Sequence, residues 1–412
     1  MSNAILGDVN MICIRPILLR ADWLFDGTGL PAVADAAVLV QRGRIQEIYE
    51  KPPSRSELPE GCETIELQGC TLLPGLIDCH VHLCLPGDGT PFTQAVSYPQ
   101  GVIQAIAIRN ASKALHAGIT TLRDCGGFPD VLSSLRRSIE LGYAEGSRLV
   151  LAGWPITITG GHCHYFGGEA DGAECLRKKV REAVKWGADY IKIMGSGGGT
   201  PGSISWRPAY RLEEMDAIVE EAHSLNRKAV VHCLCAGAIM NAVRAQADEV
   251  EHAGFLTGQD NPQSFDLGSA KMLTDASIPV CPTLSVSEFV IESGDPEVKR
   301  WQRTREDNLS NAKKLRDLGV SFLAGSDAGW RWSPFDALRA EMQTMAQLGV
   351  SPSDCIVAAT SQAAKGLGLE GVTGMIREGL SADLVVVRGR PDEDLRSISK
   401  VVMVMKEGRR VV

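Results

Sequence analysis

From about residue 69 to residue 371, short runs of apolar or β-branched residues alternate with longer stretches in which apolar residues recur every third or fourth position. That alternation predicts repeated strand and helix units laid one after another. Strands are expected at 72–78, 120–124, 148–152, 190–194, 229–232, 249–252, 279–282 and 321–324, and eight of them fit a closed barrel. Between the fourth and fifth, Leu212, Met215, Ile218, Val219 and Ala222 recur at helical steps with Glu213, Glu214, Glu220 and Glu221 on other faces. This is the pattern of a helix packed outside a sheet.

The two ends read differently. Residues 11–70 carry short strand-like pieces at 12–14, 37–40, 45–49 and 64–67, punctuated by Gly and Pro, and residues 372–412 do the same at 384–387 and 401–405. Neither end has strands enough for a sheet of its own. Pairing them gives one small β-sandwich domain, 1–70 with 372–412, interrupted by a barrel at 71–371. The expected fold is therefore α/β, a (β/α)8 TIM barrel with a β-sandwich made by the N- and C-terminal segments. It also accounts for a length of 412 residues, where a lone barrel needs roughly 250.

Composition narrows the function. Hydrophobic residues at 44% and charged residues at 22% are ordinary globular usage, so disorder is excluded. A net charge of −8 supplies no basic patch, so no nucleic-acid partner is expected. No run of about eighteen apolar residues occurs, and the apolar stretch 11–19 is broken by Arg15 and lacks a cleavage pattern. The expectation is a soluble, unexported, cytoplasmic protein with no membrane partner, a homo-oligomer acting on a small-molecule substrate. The 12 cysteines form no CxxC pair, with Cys233 and Cys235 coming nearest, and read as reduced thiols.

The strongest local signal is Pro74-Gly75-Leu76-Ile77-Asp78-Cys79-His80-Val81-His82. Side chains alternate along a strand, so His80 and His82 share a face and both imidazoles reach one ion. Alone, such a pair serves equally well as two solvated or packed histidines. Lys192, His232, His252 and Asp327 then follow at the ends of other expected strands, at successive steps of 110, 40, 20 and 75 residues from His82. That spacing maps the set onto the first, fourth, fifth, sixth and eighth strands, at the rim where barrel active sites assemble. Singly, each has an ordinary explanation: His232 and His252 as core histidines, Asp327 as a helix cap, Lys192 as the partner of an interior carboxylate. One metal site accounts for all of them together.

Lys192 is the most informative of these. A cation directed into a barrel is costly unless it is paired or neutral. Desolvation and nearby metal ions favour the neutral amine, which takes up CO2 to become N6-carboxylysine, with two oxygens able to bridge two divalent ions. The carbamate, Asp327 and a bridging hydroxide leave a net positive charge, suited to a carboxylate-bearing substrate or a developing oxyanion. Imidazole and oxygen ligands favour zinc, with manganese and cobalt as alternatives. Cys79, Cys233 and Cys235 are directed away from the histidines' face by the strand period and read as packing residues.

Over nearly its full length the chain resembles the amidohydrolase superfamily. The run 74–82 looks like its first-strand motif, and Lys192, His232, His252 and Asp327 match the remaining ligands of its binuclear type. Within it, Thr120-Thr121-Leu122-Arg123-Asp124-Cys125-Gly126-Gly127, Thr159-Gly160-Gly161-His162, Ile191-Lys192-Ile193-Met194-Gly195-Ser196-Gly197-Gly198 and Glu220-Glu221-Ala222-His223 are similar to the prolidase and arginine-carboxypeptidase-like dipeptidases. Deaminase members use one metal and usually carry a Glu three residues after the fifth-strand histidine, where this chain has Cys235, and imidazolonepropionase-like members lack the bridging lysine.

The resemblance implies that His162 and Tyr210 contact the substrate's carbonyl oxygen or terminal carboxylate, although Tyr210 serves equally as a packing aromatic. Arg207 and Arg211 are alternatives for a carboxylate clamp, Trp206 and Trp330 for the walls of a side-chain pocket, and His164 is one further candidate. The expected activity is hydrolysis of an amide C–N bond in a dipeptide or N-acyl amino acid. A metal-bridging hydroxide attacks the carbonyl, Asp327 acts as general base and then acid, and His162 or Tyr210 steadies the oxyanion. Hydrolysis of a carbamate, urea or lactam is the alternative, and a non-catalytic scaffold of the same fold the third reading.

Overall fold

The computed structural model describes residues 15–259 and 262–412; the expected strand piece at 12–14 falls outside them. Four strands come first, β1 (Ile17–Leu24), β2 (Val33–Gln41), β3 (Arg44–Tyr49) and β4 (Glu63–Pro74). Seven short strands separated by helices follow: β5 (Leu76–Val81), β6 (Ile119–Asp124), β7 (Arg148–Leu151), β8 (Ile191–Met194), β9 (Ala229–His232), β10 (Glu249–Glu251) and β11 (Val280–Cys281). The chain ends with β12 (Leu384–Arg388), β13 (Val401–Lys406) and β14 (Arg409–Arg410).

β5 to β7 pair in parallel, as do β8 to β11. Two seams close these groups into the (β/α)8 barrel. At one, Ile156 N donates to Lys192 O and Met194 N to Ile156 O, both at 2.9 Å. At the other, Leu323 N donates to Val280 O at 2.9 Å and Cys79 N to Ala324 O at 3.0 Å. The expected eighth strand at 321–324 is thus corrected to an irregular closing segment, with a single bridge from Phe322 to Val280. Its hydrogen bonds are shared between β11 and β5, and at Gly325 the chain runs so close to β5 that a Cβ would lie 2.9 Å from that of His80.

The expected strand at 72–78 is two strands. β4 ends at Pro74, and Gly75 follows where a Cβ would overlap Thr120 of β6, so glycine lets the barrel wall pack against the crossing point. The helix expected around Leu212 runs Leu212–Ser224 and buries Met215, Ile218, Val219 and Ala222 against the barrel.

The terminal segments do pair, in a seven-stranded sheet ordered β14-β13-β12-β4-β1-β2-β3. β12 lies antiparallel to β4, with Leu384 opposite Pro74. β1, parallel to β4, lies between it and β2 and was not expected, because Arg20 and Asp22 interrupt its apolar run. The sandwich is this one sheet bent over its own core: Ile45 N donates to Leu380 O and Ala382 N to Gly43 O, both at 2.9 Å. Among the described residues no helix is long and apolar enough to cross a membrane.

Candidate metal centre and substrate cavity

His80 and His82 lie at the C-terminal end of β5 and just beyond it, with their Nε2 atoms 3.3 Å apart. Lys192 comes from β8, His232 ends β9, His252 follows β10, and Asp327 follows the closing segment. All six line one cavity of about 370 Å³ at the C-terminal rim of the barrel, and His162, from the loop after β7, lines it too.

Three of the imidazoles are fixed through one ring nitrogen, which aims the other. His82 Nδ1 lies 3.1 Å from Gly126 O and His252 Nδ1 2.7 Å from Thr283 Oγ1. His80 Nδ1 meets Glu251 Oε1 at 3.1 Å, and His232 uses Nε2 instead, 3.1 Å from Gly197 O. Burial pushes His80 and His232 well below the ordinary histidine range and His252 down to about 4, so these rings are neutral, the form that ligates a metal. In His82 burial acts in the same direction, but the Asp327 carboxylate outweighs it and the value rises.

Asp327 shows the converse. Burial alone raises a carboxyl, yet His80, and then His82, hold Asp327 well below the usual carboxylate range. Its Oδ1 lies 3.3 Å from His82 Nε2 and 3.5 Å from His80 Nε2, buried and without a well-formed hydrogen bond. Backbone strain also gathers here. His252 and Asp327 have φ of 66° and 53°, left-handed values that cost a non-glycine residue on the order of 1 kcal/mol and cluster at functional sites.

A buried carboxylate oxygen without a hydrogen bond, set among imidazoles, fits divalent cations, and His80, His252 and Asp327 place ligand atoms within 4.8 Å of one another. Lys192 is buried at their edge. Burial lowers its pKa, and its Nζ abuts Glu251, the interior carboxylate that was the ordinary explanation for this lysine.

Glu251 went unnoticed in the sequence. It touches Lys192 and His80, accepts from Cys125 Sγ at 3.1 Å, and lies 3.5 Å from Arg123, whose guanidinium pairs with Glu249. Glu249 and Glu251 share one face of β10 by the strand period, and two interior acids on one face were the available signal.

Several substrate residues expected from the sequence are not at the cavity. Tyr210 is buried in the packing core, its hydroxyl 3.4 Å from Ala170 O, and does not line the cavity. Arg207 and Arg211 are exposed and outside it, since the loop that carries them turns outward into the helix Leu212–Ser224. His164 packs on Tyr165 in the turn His164–Phe166, also off the cavity. The arginines that do reach it are Arg300, from the helix Val298–Asp317, and Arg331. Trp206 and Trp330 form part of its wall, joined by the unanticipated Trp301.

Known proteins resemble this chain in sequence and in fold. The sequence pattern of the Amidohydrolase family matches residues 71–411. An ochratoxinase from Aspergillus niger is 28% identical over 363 residues, covering 79% of this chain and 72% of that protein. An imidazolonepropionase from Rhizorhabdus wittichii is 26% identical over 396 residues, covering 87% and 90%. A crystal structure of a Xaa-Pro dipeptidase with methionine bound in its active site superposes with a TM-score of 0.84 at 28% identity, covering 96% of this chain and 99% of that one.

Proposed function

Because the chain belongs to the amidohydrolase family and is therefore a metal-dependent hydrolase, we propose that it cleaves the amide C–N bond of a dipeptide or N-acyl amino acid. In this reading His80, His82, Lys192, His232, His252 and Asp327 hold two divalent ions, zinc by preference, with Lys192 carboxylated. The observation that carries it is the buried Asp327 Oδ1, left without a hydrogen bond among the imidazoles of His80, His82 and His252, the last two tied back through Nδ1. Similarity to a Xaa-Pro dipeptidase and an ochratoxinase supports the amide assignment.

Bound ions supply a Lewis acid for the carbonyl and bring the pKa of water toward ~7. The chain's own groups do the rest. Asp327 is held ionised by its histidine neighbours, so it takes a proton from the attacking water and returns it to the leaving amine. Thr200 Oγ1 accepts from Cys163 N at 3.0 Å and lies 2.8 Å from His162 Nδ1; with the hydroxyl donating there, the proton of His162 stands on Nε2. Burial depresses His162 to about 3, so at neutral pH it is a neutral donor for the oxyanion. Carboxylation of Lys192 requires Glu251 to release the amine, and Arg123 and His80 remain within 3.5 Å as its partners.

The test is to measure metal content and to screen the zinc-loaded protein against dipeptides, N-acyl amino acids, carbamates and aryl ureas. Two equivalents of metal and turnover of the amino-acid amides are expected, both lost in Lys192→Ala. Uniform inactivity toward the amino-acid compounds, with turnover of a carbamate or urea, overturns the substrate assignment. A metal-free protein whose Lys192→Ala variant keeps every activity overturns the mechanism.

A further inference from the structure

We propose that the outer part of the cavity is an aromatic clamp that selects substrates with a large planar aromatic group beside the scissile bond, an inference resting on the amide-hydrolysis reading above. The chain has only 7 tryptophans in 412 residues, yet Trp206, Trp301 and Trp330 all line this cavity, together with Tyr165. The four rings are half-buried and come from four separate parts of the chain: the turn His164–Phe166, the loop after β8, the helix Val298–Asp317 and the loop that carries Asp327. Rings gathered from distant segments and left open on one side are poorly explained by core packing, which encloses an indole.

The rings are propped in place. Trp301 meets Trp330 edge to face at 5.8 Å, and Phe92 lies 6.0 Å from both Trp330 and Tyr165. Arg331 sits 5.4 Å over Trp301 and 5.0 Å over Trp330, and its guanidinium is held by Asp295 at 3.6 Å and Glu297 at 3.7 Å. That charge is committed to fixing the two indoles.

The wall is built onto the reacting end of the cavity. Trp330 N lies 3.2 Å from Asp327 O, so the ring and the carboxylate belong to one turn. Two successive glycines bring the loop after β8 flat against Trp330 and His162: a Cβ at Gly199 would sit 2.9 Å from the Trp330 ring, and one at Gly198 would sit 2.5 Å from His162 Nε2. A planar group stacked on Trp330 therefore shares the cavity with His162 and Asp327.

The experiment compares two matched pairs on the metal-loaded protein: N-(2-naphthoyl)glycine against N-acetylglycine, and N-acetyl-L-tryptophan against N-acetyl-L-alanine. The aromatic member of at least one pair is expected to exceed its partner in kcat/KM by about 30-fold or more. That ratio should fall at least ~10-fold in Trp301→Leu and Trp330→Leu and be restored in Trp301→Phe. Equilibrium dialysis of 2-naphthoate, with the same variants, reads the clamp without turnover. Equal kcat/KM within both pairs overturns the clamp and leaves the amide reading standing. No amide turnover, with naphthoate binding that Trp301→Leu weakens, supports the clamp and removes the amide reading. Neither turnover nor tryptophan-dependent binding overturns both.

Discussion

The barrel and the terminal sheet meet at Gly75 and are both built of extended chain, yet their interiors are filled in opposite ways. Inside the bent sheet, Leu19, Val38, Val40, Leu72, Val386 and Met405 pack into one apolar cluster. Inside the barrel, Arg123, Lys192, Glu249 and Glu251 are all buried beneath the cavity. Arg123 Nη1 donates to Glu249 Oε2 and its Nε to Cys79 O, both at 2.6 Å. Buried ion pairs rarely stabilise more than apolar residues of the same volume, so stability does not explain the barrel's charges. They hold Lys192 and His80 in orientation, while the sheet contributes stability without chemistry.

The contrast is broken most directly at Asp327. Asp327→Asn keeps the shape and removes a buried carboxylate that has an unpartnered oxygen. Its kcat should fall by about 10³-fold with metal content reduced, as read by steady-state kinetics and metal analysis. Unchanged kcat at full metal content, with a lowered Tm, would make Asp327 a structural cap. Next is Arg123→Met, which leaves Glu249 buried without its cation. Urea unfolding should show a loss of about 3–5 kcal/mol, most of it recovered when Glu249→Met is added. Without that recovery, the charges would be stabilising in their own right.

How far the sequence discloses each interior follows from the same contrast. His80 and His82 are legible because a two-residue period on a strand fixes their common face, and Lys192 because a cation within an apolar strand needs a reason. The terminal pairing is legible from strand counts alone. Tyr210, Arg207 and Arg211 were misplaced because the segment after β8 is irregular, and which of its residues turn inward is set by Gly198 and Gly199 packing on His162 and Trp330. Trp301 and Arg331 meet only through tertiary structure. The eighth strand misled because β11 and β5 share its hydrogen bonds. Glu251 was overlooked beside a more conspicuous histidine.

The sheet's side of the comparison is tested at Leu72, which is fully buried in its core. Leu72→Ala should cost about 3 kcal/mol in chemical denaturation with kcat/KM unchanged below the transition. A parallel drop in kcat/KM would show that the sheet shapes the cavity as well as stabilising the fold.

The smallest expected effect concerns a buried charge of a third kind, with no cation beside it. Glu341, on the helix Leu338–Gln347, accepts from Leu284 N at 2.9 Å and Ser285 N at 2.7 Å, just after β11. Burial pushes its carboxyl up to about 7, against the pull of those two donors. Because the folded value lies above the unfolded one, the unfolded chain holds fewer protons and stability falls as pH rises. The neutral form's contribution is complete below about pH 4.5 and is lost as pH climbs through 7. Between pH 5.5 and 8 this amounts to about 2 kcal/mol. Glu341→Gln should flatten the stability profile over that window relative to the parent, measured by urea unfolding at each pH. An unchanged slope would mean that Glu341 stays ionised on its two backbone donors, and that this part of the barrel wall holds a carboxylate without a cation.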